Sequence, residues 1–310
     1  MYKEILDKIL EFDHICIFRH QKPDGDAMFS ALALNQFISD NFPHKKTRIC
    51  GSDEYDIISR NDKVSDRFIR DSLAFILDTS TSARIDDSRA LKAKYTIKID
   101  HHPYGEDYAD QNHVKTKAAA AAELLTEILF SKYFKGYAVS PETCRYLYYG
   151  IVTDTLNFKT TNTTADTFKT AAKLITKGDI QVSDSYEYLF TDDVSVFNKV
   201  SKIRNELKLR EKFGFILLDQ KKLTKIEMDA SEAKNHITEL GTIRNINIWA
   251  FAVENNEHLF DVSVRSKRNY TINGFCREYG GGGHTNAAGA KDLTKNQLNE
   301  LFDALTNASK

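Results

Sequence analysis

Apolar positions along the chain change period, and the changes mark out its elements. Ile5, Leu6, Ile9 and Leu10 recur at helical spacing among charges, which predicts an amphipathic helix over 3–12. A short apolar run, 14–19, then predicts a buried strand, followed by a Pro/Gly turn at Pro23–Gly25 and a helix from Ala27 to about Asp40. Leu73 to Leu77 and Tyr95 to Ile99 read as further buried strands, with Lys46 to Cys50 a shorter one. Ala83 to Ala93 reads as a crossover helix. Ala118 to Lys132, Pro141 to Asp154 and Thr164 to Lys177 predict helices, the last with Gly178 as its C-cap. Strands alternating with helices imply an α/β fold with a mostly parallel sheet.

A second pattern starts near Lys212. Phe213 to Leu218 reads as a strand, and Asn247–Val253 with Leu259–Val264 as a hairpin. A short helix over 272–279, a glycine run and a terminal helix over 294–307 follow. The expected organisation is a domain over 1–190, a charged helical linker over 191–211 and a smaller α/β domain over 212–310.

Composition narrows the class. The 310 residues are 41% hydrophobic and 28% charged, ordinary for a globular protein. A net charge of −1 argues against coating long duplex nucleic acid electrostatically. A phosphate substrate stays open, because bound metal can supply positive charge. Cys16, Cys50, Cys144 and Cys276 form no CxxC and read as free thiols of a reducing cytoplasm. Neither a signal peptide nor a membrane span is expected, since charges interrupt every apolar run.

Polar residues collect where strands end. His20, Asp24 and Asp26 follow the first, Asp78 ends another, and Asp100, His101 and His102 end the next. Asp154 follows an apolar helix. Taken singly, each has a plain reading as a capping or strand-end residue. Sites of open α/β sheets lie beyond the carboxyl ends of the strands, so three segments deliver metal-type ligands to one edge. Two imidazoles (His20 and one of the pair His101 and His102) and four carboxylates (Asp24, Asp26, Asp78, Asp154) exceed one tetrahedral zinc and suit two divalent ions. The oxygen-rich set favours Mn²⁺. The run Gly280 to Gly283 with His284 reads either as a flexible linker or as a backbone nest for phosphate. Arg265, with Lys267 and Arg268, could grip a phosphate. The small residues 118–122 read as a tightly packed helix start, and Tyr146, Tyr148 and Tyr149 as core.

The ordered set His20-x-x-Pro23-Asp24-Gly25-Asp26, Asp78, Asp100-His101-His102 and Asp154 resembles the motifs of the DHH phosphoesterases. Gly281-Gly282-Gly283-His284, preceded by Arg265, resembles their associated C-terminal domain. The resemblance covers nearly the whole chain and is nearest to the short members that cleave nanoRNA and linear dinucleotides. It implies one metal on His20, Asp24 and Asp78, and a second on Asp26, Asp78, His101 and Asp154. Asp100 would orient an imidazole, and His102 would contact the phosphate or protonate the leaving oxygen. Arg265 and Gly281–His284 would hold the nucleotide, with the active site in a cleft between the domains. One departure is Phe29 before Ser30, where many members carry Gly-Ser. The implied activity is Mn²⁺-dependent hydrolysis of short oligoribonucleotides or pApA-type dinucleotides to nucleoside 5′-monophosphates. Competing readings are a pAp 3′-phosphatase, a cyclic dinucleotide phosphodiesterase and a metal-dependent nucleotide sensor. A homodimer is compatible with the sequence, which carries no direct sign of one.

Overall fold

A computed structural model describes residues 2–55, 57–103, 105–267 and 269–310, with backbone only at residues 235 and 284. The chain divides into two compact units, Met1–Thr191 and Asp192–Lys310.

Among the described residues of the first unit, β1 (His14–Phe18), β2 (Lys46–Ile49), β3 (Leu73–Leu77), β4 (Tyr95–Asp100) and β5 (Gln111–Val114) form a sheet in the order β2-β1-β3-β4-β5. Every neighbouring pair is parallel. The strand order reverses between β1 and β3, which opens a crevice at their carboxyl ends. The five residues of β3 are all buried, as both faces of a central parallel strand must be. Helices α1 (Tyr2–Glu11), α2 (Gly25–Asn41), α3 (Asp66–Arg70), α4 (Ala121–Leu129), α5 (Pro141–Asp154), α6 (Ala165–Gly178) and α7 (Val182–Phe190) complete the unit. Helix α2 is apolar nearly all round, and it is buried nearly all round.

The second unit holds α8 (Val194–Arg204), β6 (Lys208–Arg210), β7 (Phe213–Leu218), α9 (Gln220–Ile226), α10 (Ala230–Lys234), β8 (Ile248–Glu254), β9 (Phe260–Ser266), α11 (Asn273–Arg277), β10 (Gly282–His284), β11 (Ala287–Leu293) and α12 (Lys295–Ala308). Its strands run β10-β11-β9-β8-β7-β6, antiparallel except for β7 with β8. Alternation in β7 and β8 serves two cores: Phe213, Phe215, Ile248 and Ala250 meet α12 residues, whereas Ile216, Leu218, Trp249 and Phe251 meet α8 and α9 residues. Residues 191–211, expected as a helical linker, contain α8 and β6; Val200 and Ile203 of α8 lie in this unit's core.

Several expectations need correcting. Residues 83–93 form no α-helix but two 3₁₀ turns, Ser82–Arg84 and Ser88–Lys92. Between them Ile85 bridges to His20, Asp87 accepts from Arg89 N, a local alternative to helix, and Asp86 accepts from the distant Ser52 N. Strand β5 is an addition to the expected elements; its Gln-Asn-His-Val sequence carries no apolar signal at a sheet edge. Helix α4 starts at Ala121, because Ala120 is extended. Gly178 ends α6 inside the helix, and Asp179 takes the left-handed cap at φ 47°. The glycine run is neither linker nor loop throughout, since Gly282 to His284 pair with β11.

Candidate metal centre

The first ligand segment is shaped by what surrounds it. Arg19, fully buried, donates to Cys50 O (2.9 Å) and Asp53 O (2.8 Å), which pins residues 50–53 beside the turn. His20 Nδ1 sits 2.8 Å from Gln21 O and must donate to it, so Nε2 is the nitrogen turned to Asp24 Oδ2 (3.7 Å) and Asp78 Oδ2 (3.5 Å). Asp24 caps α2 through Oδ1, which accepts from Ala27 N at 3.1 Å. The capping reading and the ligand reading are therefore compatible: one oxygen serves each. Gly25 is required here, since a Cβ would lie 2.4 Å from Thr153 Oγ1, the side chain next to Asp154.

Asp26 reveals a signal that sequence reasoning missed. Its Oδ2 accepts from Ala121 N (2.6 Å), and its Oδ1 from Ala122 N (2.9 Å) and Ser30 Oγ (3.1 Å). The alanine run 118–122 thus serves chemistry as well as packing, because it lets the N-terminus of α4, the positive end of its dipole, reach a buried carboxylate. Gly150 completes the close packing, because a Cβ there would lie 2.7 Å from Ala122 Cβ and 3.0 Å from Asp26 Oδ1. Phe29 does no harm beside this arrangement; it is buried edge-on to Tyr149 while Ser30 turns to Asp26.

Asp78 leaves β3 with φ 49°, a left-handed conformation that Asp tolerates better than bulkier residues. Its Oδ1 is buried and accepts no hydrogen bond, yet lies 3.4 Å from His101 Nε2 and 3.5 Å from His102 Nδ1. His101 Nε2 is also 3.8 Å from Asp154 Oδ2 and 4.0 Å from Asp26 Oδ2. Asp100 lies outside this group: its Oδ1 accepts from His101 N (2.9 Å) and is 2.8 Å from His102 Nδ1. Asp154 ends α5, where the helix dipole disfavours a carboxylate, so its place there calls for a nearby cation.

The electrostatics agree. Burial works against a charged His20 and His101, but Asp24 and Asp78 at the first, and Asp78, Asp26 and Asp154 at the second, push both up to about 10. Burial, together with Asp78 and Asp24, pushes Asp154 up to about 7. Burial, then Asp78 and Asp154, raises Asp26 well above the carboxylate range. Asp78 goes the other way: burial opposes its charge, but His101 and His20 hold it low. Among the described residues no Lys or Arg forms an ion pair with Asp24, Asp26, Asp78 or Asp154. Three overlapping groups have ligand atoms within 4.8 Å of one another: His20/Asp24/Asp78, Asp26/His101/Asp154 and Asp78/His101/His102. A buried carboxylate oxygen without a donor, amid converging carboxylates, fits divalent cations.

The second-unit residues are built differently. Arg265 on β9 is partly buried, and its guanidinium donates to Val264 O at 3.0 Å. Ala287 pairs with both Arg265 and His284, so these two flank it in register. A Cβ at Gly281 would fall 2.1 Å from Gly289 O, and one at Gly283 2.4 Å from Ala287 O, whereas Gly282 has open space. Two of the three glycines are thus demanded by backbone packing. A cavity of about 540 Å³ beside them is lined by Lys234, Ser263, Gly281, Gly282 and Lys291. Arg268 and the side chain of His284 lie outside the described residues.

A doubly wound sheet with a carboxylate–imidazole cluster at its switch point fits a metal-dependent enzyme. The family models make the class explicit: the DHH family N-terminal domain matches residues 14–151 and the DHHA1 domain residues 218–310. The chain belongs to the DHH family of phosphoesterases, which are metal-dependent enzymes. It is 33% identical to the probable bifunctional oligoribonuclease and PAP phosphatase NrnA of Streptococcus mutans, over 100% of this chain and 99% of that one. It is 30% identical to the bifunctional oligoribonuclease and PAP phosphatase NrnA of Bacillus subtilis, with the same coverage. The crystal structure of an exopolyphosphatase-related protein from Bacteroides fragilis shares the fold, with a TM-score of 0.87 at 22% identity, covering 99% of this chain and 96% of that one. Among the described residues no helix is long and apolar enough to cross a membrane.

Proposed function

We propose that this chain hydrolyses short oligoribonucleotides and pApA-type linear dinucleotides to nucleoside 5′-monophosphates, using two Mn²⁺ ions. The observation that carries the reading is Asp78: a buried carboxylate shared by two ligand groups, with one oxygen facing two imidazoles and the other a third. His20, Asp24 and Asp78 would hold one ion; Asp26, Asp78, His101 and Asp154 would hold the other. Two divalent ions supply an acidified water and charge neutralisation at the leaving oxygen. His20 presents Nε2 because Nδ1 is committed to Gln21 O, and Asp26 is oriented by the α4 amides. His102, held through Nδ1 by Asp100, keeps Nε2 for the scissile phosphate or the leaving oxygen. Arg265 and Gly281–His284 would hold the nucleotide, with Gly282 the glycine free to face it. Four free, buried cysteines suit a cytoplasmic enzyme.

Removal of a 3′-phosphate from pAp is a second reaction of the same site, since both reactions attack a phosphoester. The names of the two NrnA relatives pair these activities. The test is purified protein with Mn²⁺ against pApA, a five-nucleotide RNA, pAp, cyclic di-AMP and pyrophosphate. Fastest turnover of pApA or the short RNA is expected. Cyclic di-AMP as best substrate would replace the reading with a cyclic dinucleotide phosphodiesterase, and binding without hydrolysis would make the chain a sensor.

A further inference from the structure

Lys98 stands two residues before Asp100 on β4, so both point to one face of the sheet. It is completely buried, an environment in which lysine is rare unless paired. Its ammonium donates to Ser80 O (2.9 Å) and Glu106 O (3.0 Å) and lies 3.2 Å from Asp100 Oδ2. The Tyr108 ring covers it, 4.9 Å away at the centroid. The ammonium therefore faces three segments, hydrogen-bonding the one leaving β3 just after Asp78 and the loop after His102 and placing its charge beside the end of β4.

Asp100 divides its oxygens. Oδ1 takes His101 N (2.9 Å), His102 N (3.3 Å) and His102 Nδ1 (2.8 Å). Among the described residues Oδ2 is buried, accepts no hydrogen bond, and has the Lys98 charge beside it. With one side of the carboxylate held by an ammonium, the other cannot rotate away from the imidazole. That commits the Nδ1–H of His102 to Asp100 and leaves Nε2 as the nitrogen directed outward. Gly105 is needed at this point, since a Cβ would fall 2.9 Å from Lys98 Nζ.

We propose that Lys98 is a positioning residue for His102, acting through Asp100 to hold the imidazole's Nδ1–H and so direct its Nε2 to the leaving oxygen. The inference rests on the role given to His102 above. Lys98→Met should lower kcat on pApA by about tenfold to hundredfold, the usual effect of losing an outer partner of a site residue. KM and the number of Mn²⁺ ions bound, read by electron paramagnetic resonance, should stay nearly unchanged. Lys98→Arg, which keeps a cation, should restore part of the loss. In a His102→Ala background Lys98→Met should do almost nothing further, because its route runs through the missing ring. Equal losses in both backgrounds, or a loss confined to KM, would overturn the proposal. ¹⁵N NMR of the wild-type protein tests it even where Lys98→Met does not fold: His102 is expected to carry a proton on Nδ1, and a ring protonated at Nε2 alone would refute it. Failure of the wild type on the whole substrate panel would sink the functional reading, whereas the tautomer decides this inference separately.

Discussion

The strand-end cluster of the first unit and the glycine hairpin of the second both stand out in the sequence as chemistry, yet they are built on opposite principles. In the cluster, polar atoms are buried beyond what the fold can satisfy: Asp78 Oδ1 has no donor, and Asp26 and Asp154 are raised by burial and by neighbouring carboxylates. In the hairpin the unusual residues are accounted for by packing, because Gly281 and Gly283 lie against the backbone of β11. An unusual residue points to function when the fold leaves something unexplained about it, as at Asp78, and less so when packing already requires it, as at Gly281.

The largest test of that contrast is Asp78→Asn, which keeps the shape and tolerates φ 49°. Turnover of every substrate should fall by far more than the roughly tenfold to hundredfold seen when an outer partner is lost. Near-normal turnover would end the shared-carboxylate reading. Next is Ala121→Pro, which removes the 2.6 Å amide contact to Asp26 at a first-turn position that accepts proline. Calorimetry should show Mn²⁺ affinity weakened by about tenfold while the helix persists.

In the hairpin, Gly281→Ala should destabilise the protein by about 1–3 kcal/mol in denaturant titration, since Cβ would meet Gly289 O. Gly282→Ala should stay within about 0.5 kcal/mol of wild type. A raised KM in the Gly282 variant alone would give the segment a role in substrate binding; no change in either kinetic constant would reduce it to packing.

A further contrast is in pH. His20 and His101 are raised to about 10 by their carboxylates. A raised histidine stabilises fully below its unfolded value of about 6.5 and loses that contribution as pH climbs through its folded value. Protein stripped of metal should therefore melt progressively lower between about pH 7 and pH 10. Mn²⁺ must displace these protons, so binding at pH 7 should release protons and tighten as pH rises. Calorimetry in buffers of different ionisation enthalpy would show it, and binding without proton release would contradict the placement of both histidines.

Much of this is legible from residue order. The period of apolar residues sets the buried strands β1 and β3, because a central parallel strand covered on both faces is apolar nearly throughout, whereas β4 alternates buried Ile97 and Ile99 with Thr96, Lys98 and Asp100. The turn at Pro23–Gly25 and the strand-end position of Asp78 place candidate ligands on one edge for the same reason. What stays hidden depends on contacts distant in sequence. Strand β5 is polar and is made by pairing alone, and residues 83–93 lose their helix to a bridge with His20 and to the bonds Asp86 accepts from Ser52 N and Asp53 N. Neither the alanine run at 118–122 nor Lys98 announces itself in one dimension. The amides of Ala121 and Ala122 meet Asp26 across 95 and 96 residues of sequence, and Lys98 reaches carbonyls on two other segments. Sequence determined which groups could bind cations and at which strand ends they stand, since local periodicity fixes both. Tertiary structure decided which oxygens and nitrogens remain free to bind, because that depends on every donor the rest of the fold brings near.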